Sequence, residues 1–370
     1  MIIGVPSEVK PQEFRVGLLP FAVRELVEHG HEVVIQQGAG AEIGETDVAY
    51  VNAGAKIFPD AASVFERAEM IVKVKEPQKE EIAMIREDQI LFTYLHLAPD
   101  PAQTKGLIDS KCIAVAYETI TDRQGGLPLL APMSEVAGRL ATQQACWAIE
   151  KHQGGSGILL GAVPGVEPAQ VLVIGGGVVG TSALRMAIGL GAHVTVLDKD
   201  LNRLRELNFR YAGRLNTIYS TQESLEKYTS EADIVIGAVL VPGAATPKII
   251  TRDILRNMKN GTVLVDVAID QGGIAETSRP TTHENPLYTE EGVVHYCVAN
   301  MPSAVARTSA FALNNATLPF VIALANKGYR LALRDDGHLL NGLNVCQGHV
   351  THEAVAKALG YEYVPANQFL

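Results

Sequence analysis

The stretch VLVIGGGVVGTSALRMAIGLGAHVTVLDKD, residues 171–200, decides the fold class. An apolar run of strand type ends on glycines, a helical pattern follows at once, and a second apolar run closes on Asp198. Gly175, Gly177 and Gly180 stand at GxGxxG spacing within that strand–turn–helix context. The first glycine permits a tight turn, the second lets the backbone approach a pyrophosphate, and the third lets the helix pack closely on the sheet. The helix start then offers N–H groups and the positive end of its dipole to an anion. Asp198 lies 18 residues beyond Gly180, where a carboxylate accepts hydrogen bonds from an adenosine ribose. A negative group there repels a 2′-phosphate and favours NAD over NADP, an inference that Lys199 and Arg203 weaken. The cradle specifies a dinucleotide and no particular reaction.

Outward from the cradle, VLVIG, HVTVLD, NTIYS, DIVIGAV, TVLVDVAI and VVHYCVAN read as six strands separated by helical or mixed stretches. That is the pattern of a Rossmann-type nucleotide-binding sheet. Upstream, MIIGVP, EVVIQ, EMIVKVKEP, QILFTYLH and CIAVAYE alternate with helical patterns such as FAVRELVEHG, so residues 1 to about 118 predict parallel βαβ units. Gly30 stands where the first helix should stop, and a strand is expected from about His31 to Ile35. Residues 119–133 are turn-rich and mark a domain crossing. Ser134 reads as the N-cap of a linker helix of about 134–152. The expected class is therefore α/β, with two domains, each a mostly parallel open sheet with flanking helices. One is discontinuous, 1–130 plus 305–370, and carries substrate and catalysis; the other, 131–304, binds the dinucleotide. The C-terminal remainder reads as mainly helical, with no sheet of its own, packing back onto the first domain.

Bulk properties agree with two domains of ordinary size in 370 residues. A formal charge of −10 and the lack of like-charge runs disfavour a nucleic-acid partner and leave small molecules. Cys112, Cys146, Cys297 and Cys346 form no CxxC pair, so reduced thiols are expected rather than zinc or disulfides. MIIGVPSEVK lacks the form of a signal peptide. The apolar TSAFALNNATLPFVIALANKGY is interrupted by Asn314, Asn315 and Pro319, so a buried helix is expected there and no membrane span.

Outside the cradle, ILFTYLHLAPD (residues 90–100) ends a strand pattern on His96, at the sheet edge where open α/β folds place ligands. An imidazole there could exchange protons during oxidation at a carbon bearing a hydroxyl or an amine, or it could be a satisfied structural histidine. Lys75 ends a neighbouring strand; with Lys73 on the same face, it is either a cation delivered to that edge or part of a solvated strand face. Arg15, in the loop after the first strand, is either a carboxylate clamp or an ordinary surface residue. Asp270 ends VDVAID before two glycines, as a water-polarising group or as an Asx turn. His349 and His352 have helix-compatible spacing but no companion ligand, so no metal is expected.

Taken together, GVPSEVKPQEFRVGLLP, MIVKVKEP, LFTYLHLAP, APMSEVAGR, GAVPGVEPAQVLVIGGGVVG, DVAIDQGGIAETSRPTTH and VANMPSAVARTSAFALNNATLP resemble NAD-dependent alanine dehydrogenases, nearly end to end. The resemblance extends more weakly to the NAD-binding subunit of proton-translocating transhydrogenase. It implies reversible oxidative deamination of L-alanine to pyruvate and ammonia, with hydride passing to NAD, in a cytoplasmic homohexamer. It implies that Arg15 and Lys75 hold the substrate carboxylate and carbonyl oxygen, and that His96 and Asp270 transfer protons. It further implies cofactor contacts at Ser134, Val178, Val179, Asp198, Arg203, Ser220, Val239, Leu240, Arg279 and Asn300, at Val267, Ala268 and Ile269 beside Asp270, and at Val298, Ala299 and Met301. Some relatives hold a divalent ion through an acid and a histidine on a late helix; the corresponding VIALANKGYR offers neither. A transhydrogenase component, a non-catalytic NAD-sensing module and a 2-hydroxy-acid dehydrogenase stand as the alternatives.

Overall fold

A computed structural model describes residues 1–239 and 246–370. The chain divides into two compact units, Met1–Met133 with Val305–Leu370, and Ser134–Ala304. In chain order the strands are β1 (Ile2–Val5), β2 (Glu32–Gln36), β3 (Lys56–Phe58), β4 (Met70–Val72), β5 (Ile90–Thr93), β6 (Ile113–Ala116), β7 (Gln170–Ile174), β8 (His193–Asp198), β9 (Leu215–Tyr219), β10 (Ile234–Gly237), β11 (Val263–Asp266), β12 (Leu287–Glu290), β13 (Val293–Tyr296), β14 (Leu343–Cys346) and β15 (His349–Val350).

In the first unit the sheet order is β15-β14-β6-β5-β4-β1-β2-β3. The pairings from β3 to β6 are all parallel, whereas β14 runs antiparallel to β6. Strands such as β5 and β6 are buried along their whole length, which a parallel sheet covered on both faces requires. The Pro20–Glu28 helix starts with proline in its first turn and buries Ala22, Val23 and Leu26. Gly30, at φ +84°, ends it, a conformation that costs glycine least. The C-terminal segment departs from expectation: it adds β14 and β15 to the first sheet. These two strands are joined by Gln347 and Gly348 at φ +49° and +87°, the paired positive φ values of a type I′ hairpin turn.

The second unit's sheet has the order β12-β13-β11-β10-β7-β8-β9. Six strands are parallel, in the order of a dinucleotide-binding fold. The seventh, β12, pairs antiparallel with β13 through Glu291 and Gly292, again at positive φ. Its presence corrects the expected six strands. The linker helix spans Ala131–Ala148, so Ser134 lies within its first turns and is not its N-cap. Pro132 explains the earlier start, since proline is well suited to a first helical turn.

The apolar C-terminal segment lies in the helical run Ala306–Asp335, which continues through Asn314, Asn315 and Pro319. The break comes at Gly328, whose φ of 69° and ψ of 160° are non-helical. By length and composition the helix could cross a membrane. Its buried face nevertheless carries Ser309, Asn314 and Thr317, and Asn314 Oδ1 accepts the Leu19 N–H at 2.8 Å. A polar group so satisfied inside the unit is what the core helix of a packed domain needs.

Candidate active site

The first unit places three of the expected site residues beyond the carboxyl ends of neighbouring strands, around the point where the order switches between β1 and β4. Arg15 follows β1, but it is buried, 3% exposed, which corrects the surface alternative. Its guanidinium forms a two-pronged pair with Glu13, Nε to Oε1 and Nη2 to Oε2 both at 2.6 Å, while Nη1 contacts Met133 Sδ at 3.0 Å. Such a fork fixes the plane of the guanidinium.

Lys75 follows β4, with Nζ 3.5 Å from Glu76. Its backbone is tied down on both sides. The Lys75 carbonyl accepts the Thr93 hydroxyl at 2.9 Å, and Glu8 accepts the N–H groups of Val74 at 2.7 Å and Lys75 at 3.4 Å. Lys73 is not on a solvated face: it is fully buried between Glu8 at 3.1 Å and Glu81 at 2.6 Å. Burial alone would pull the Lys73 ammonium down, but the two carboxylates outweigh it and its pKa is raised. Burial likewise pushes the Glu8 carboxyl up against the opposing pull of Lys73.

His96 lies three residues past the end of β5, in left-handed backbone at φ +49°. Its side chain is 45% exposed. The Tyr94 ring stacks on the imidazole with centroids 5.8 Å apart and planes 8° from parallel. Tyr94 is anchored by its hydroxyl on the Leu129 carbonyl at 2.5 Å and feels the Arg15 charge. Glu118 accepts the His96 N–H at 2.6 Å and the Leu95 N–H at 3.2 Å. Arg15, Tyr94 and His96 thus share one neighbourhood. Glu8, Glu13, Glu118 and Tyr94 were not singled out from the sequence, because a glutamate in a loop looks the same whether it is solvated or anchors a site.

In the second unit the glycine turn has the geometry that its spacing predicts. Gly175 has φ +98°, and a Cβ there would lie 2.7 Å from the Ala238 carbonyl oxygen; at Gly180 it would lie 1.8 Å from the Gly175 carbonyl oxygen. At Gly177 an added Cβ would meet nothing within 4 Å, so that side of the turn is open. The Val178–Gly189 helix starts here, and its first intrahelical bond runs from the Thr181 N–H to the Gly177 carbonyl. The amides of its first turn, at Val178, Val179 and Gly180, therefore have no partner within the helix. Asp198 ends β8 beside the turn, with Oδ2 accepting the Gly176 N–H at 2.6 Å and Oδ1 accepting the Asp200 N–H at 2.8 Å. Arg203 is engaged locally: Nε donates to the Gly176 carbonyl and Nη2 to the Thr181 hydroxyl, each at 2.6 Å, and Nη1 pairs with Glu206. Open backbone, orphan amides and a fixed carboxylate fit a dinucleotide.

Other expected cofactor positions spread around the same sheet edge. Ser220 follows β9 and donates its N–H to the Asp198 carbonyl at 2.9 Å; Val239 follows β10, and Leu240 lies outside the described residues. Strand β11 ends at Asp266, not Asp270. Asp266 is the residue that makes the Asx-type turn, accepting the N–H groups of Ala268 at 3.2 Å and Ile274 at 2.7 Å and the Ser278 hydroxyl at 2.5 Å. Burial raises its carboxyl pKa against those bonds. Asp270 sits in the Val267–Gln271 turn of 3₁₀ helix that follows and is exposed, whereas Ala268 and Ile269 face the core. Arg279 lies over the Tyr288 ring at 4.1 Å. Val298 and Met301 are buried, Ala299 donates its N–H to Thr281, and Asn300 has φ +57°. No group of metal ligands occurs among the described residues, and all four cysteines are free thiols.

Residues 4–137 match the family model described as alanine dehydrogenase/PNT, N-terminal domain, and residues 141–353 match alanine dehydrogenase/PNT, C-terminal domain. An alanine dehydrogenase of Halomonas elongata is 60% identical over 366 residues, 99% of each chain. A solved L-alanine dehydrogenase superposes with a TM-score of 0.94 at 49% identity, covering 97% of this chain and 99% of that one. The transhydrogenase structure from Sinorhizobium meliloti superposes with a TM-score of 0.82 at 23% identity over 96% of this chain and 100% of its own, a likeness of fold alone.

Proposed function

We propose, on the premise that this chain belongs to the alanine dehydrogenase/PNT family, that it is an L-alanine dehydrogenase converting L-alanine reversibly to pyruvate and ammonia. Likeness to alanine dehydrogenases over the full length carries the substrate class. Bound NAD supplies the hydride acceptor. NAD fits better than NADP, because Asp198 holds its negative charge beside the turn, while Arg203 is already engaged by Gly176, Thr181 and Glu206.

The residues then divide the chemistry. Arg15, its plane fixed by Glu13, clamps the substrate carboxylate. Lys75 stabilises negative charge as it develops on the substrate oxygen. After hydride has left the α-carbon, the resulting iminium must take up water and the carbinolamine must lose ammonia, so one group has to accept a proton and return it. His96, with an accessible imidazole at the sheet edge, takes that part, and Asp270 assists as a second exposed proton-transferring group. The family resemblance extends the proposal to a cytoplasmic homohexamer, which light scattering on the purified protein would test.

The deciding experiment is an absorbance assay of NAD reduction with L-alanine, glycine, L-serine and L-lactate, using the purified chain alone. Alanine should turn over fastest, and His96→Ala should lower kcat by about 10²- to 10⁴-fold, with Asp270→Asn also impaired. A chain that binds NAD yet turns over lactate in place of alanine, or nothing at all, would defeat the reading.

A further inference from the structure

The backbone at His96 lies in the left-handed region. Unlike Gln347, at the same φ of +49° in a two-residue hairpin turn, His96 follows a parallel strand, where left-handed backbone at a non-glycine residue needs its surroundings to hold it. Here the flanking carbonyls are held by Gln103, whose amide donates to Leu95 at 2.9 Å, and Thr104, whose hydroxyl donates to Leu97 at 3.0 Å, while one carboxylate takes the N–H side. Glu118, with only 14% of its side chain exposed, receives the successive N–H groups of Leu95, at 3.2 Å to each oxygen, and His96, at 2.6 Å to Oε1. Consecutive amides turned toward one anion form a nest, and bonds to an ionised acceptor are the stronger kind. The same Oε1 lies 3.9 Å from His96 Nδ1, too far for a hydrogen bond. Its grip is therefore on the backbone and not on the ring.

We propose that Glu118 is the positioning residue for His96: it holds the chain in left-handed backbone and so aims the imidazole, with Tyr94 stacked against it as a stop. The inference rests on the reading of His96 as the proton-transferring group. An imidazole displaced by about 1 Å can cost roughly 100-fold in rate, so the carboxylate matters to turnover without touching substrate. The Glu118 charge also acts on His352, whose Nδ1 is buried without a hydrogen-bond partner. A role confined to that electrostatic influence would be reproduced by changing His352.

Steady-state kinetics on the full chain separate these roles. Glu118→Ala should lower kcat for alanine oxidation by about 100-fold with little change in KM for alanine or NAD. Glu118→Gln keeps an oxygen that can accept both N–H groups and should recover most of that loss. In a His96→Ala background, Glu118→Ala should cost almost nothing further, since nothing remains to be aimed. His352→Gln should leave kcat near wild type. Should Glu118→Ala fail to fold, Glu118→Met, which keeps the volume and removes the acceptor, carries the same expectation. Loss of the same size in the presence and absence of His96, or Gln no better than Ala, would overturn the proposal. Wild-type kcat in His96→Ala would remove the base reading itself, whereas wild-type kcat in Glu118→Ala beside a crippled His96→Ala would remove only the positioning role.

Discussion

The two units are built on the same strand order and use it differently. From one edge inward both read third, second, first, fourth, fifth and sixth strand, β3-β2-β1-β4-β5-β6 in the first and β9-β8-β7-β10-β11-β13 in the second. Both gather their candidate functional groups beyond the carboxyl ends of strands around the switch, as open α/β sheets do. In the second unit the main chain forms the site: a glycine at positive φ, a helix start and one carboxylate bonded to the turn. In the first unit side chains form it, with Arg15 gripped by Glu13, Lys75 by Glu8 and His96 by Glu118. A main-chain site leaves a glycine spacing that can be read locally. A side-chain site depends on partners such as Glu8 and Lys73, 65 residues apart.

The sharpest way to break this contrast is at Lys73. Replacing it with alanine leaves Glu8 and Glu81 buried with no cation between them, and removing one partner of a buried pair costs about 3–5 kcal/mol. Chemical denaturation of Lys73→Ala should show that loss at neutral pH. The deficit should shrink as pH falls, because Glu8 already has a raised carboxyl pKa and would be raised further without the lysine. A folded-state pKa above the unfolded value contributes stability below the unfolded value and loses it as pH rises through the folded one. A deficit below about 1 kcal/mol, the range of an exposed pair, would mean that the first unit does not rely on this cluster.

Legibility followed the same division. The apolar runs announced every parallel strand except β3, Lys56–Phe58, an edge strand that opens on an exposed lysine and buries none of its residues fully, unlike the equally short β4. Of the antiparallel additions, β12 and β15 are polar edge strands with little burial, and β14 takes its place only through β6, more than 200 residues upstream. A signal was nevertheless present. Glu291-Gly292 and Gln347-Gly348 each separate two short strands by two residues, the length of a type I′ hairpin turn. Arg15, Lys75 and His96 could be named from their places after strands, but their burial and partners could not. Spacing alone did not distinguish Lys73, sealed in, from Lys75.

The glycine turn offers a pair of opposite outcomes from one added methyl group. Gly180→Ala would place Cβ 1.8 Å from the Gly175 carbonyl oxygen, so the helix must shift from the strand, and overpacking of this kind costs about 1–3 kcal/mol. Gly177→Ala meets no protein atom within 4 Å and should melt like the wild type. Its cost should appear on NAD binding, where the methyl group occupies the approach to the pyrophosphate, as a rise in Kd of about 10-fold, equivalent to about 1.4 kcal/mol. Fluorescence titration and thermal melts on both variants separate the two effects. A Gly177→Ala variant that binds NAD as tightly as wild type would place the anion elsewhere.

The smallest expected effect concerns a buried histidine in the second unit. His295 is fully buried on β13, with Nδ1 2.9 Å from the Val293 carbonyl oxygen and Nε2 2.7 Å from the Thr277 hydroxyl. That pair of partners suits a neutral ring donating from Nδ1 and accepting at Nε2. Burial holds its pKa below the ordinary histidine value of 6.5. Below 6.5 the unfolded chain therefore takes up a proton that the folded unit resists, so stability falls as pH drops from 6.5 toward the folded pKa and is flat above 6.5. His295→Gln keeps a polar partner for Thr277 but cannot titrate, so its melting temperature should fall less than that of the wild type between pH 7.5 and 5.5. The difference should be about 2–4 °C for each kcal/mol of linkage removed. Glu8 and Asp266, both raised by burial, act in the opposite sense as pH falls, so the comparison must be made between variants and not read from the wild-type slope. Parallel slopes for the two proteins would show that His295 accepts its proton in the folded state as readily as in the unfolded one, and that burial in this sheet is less strict than its packing implies.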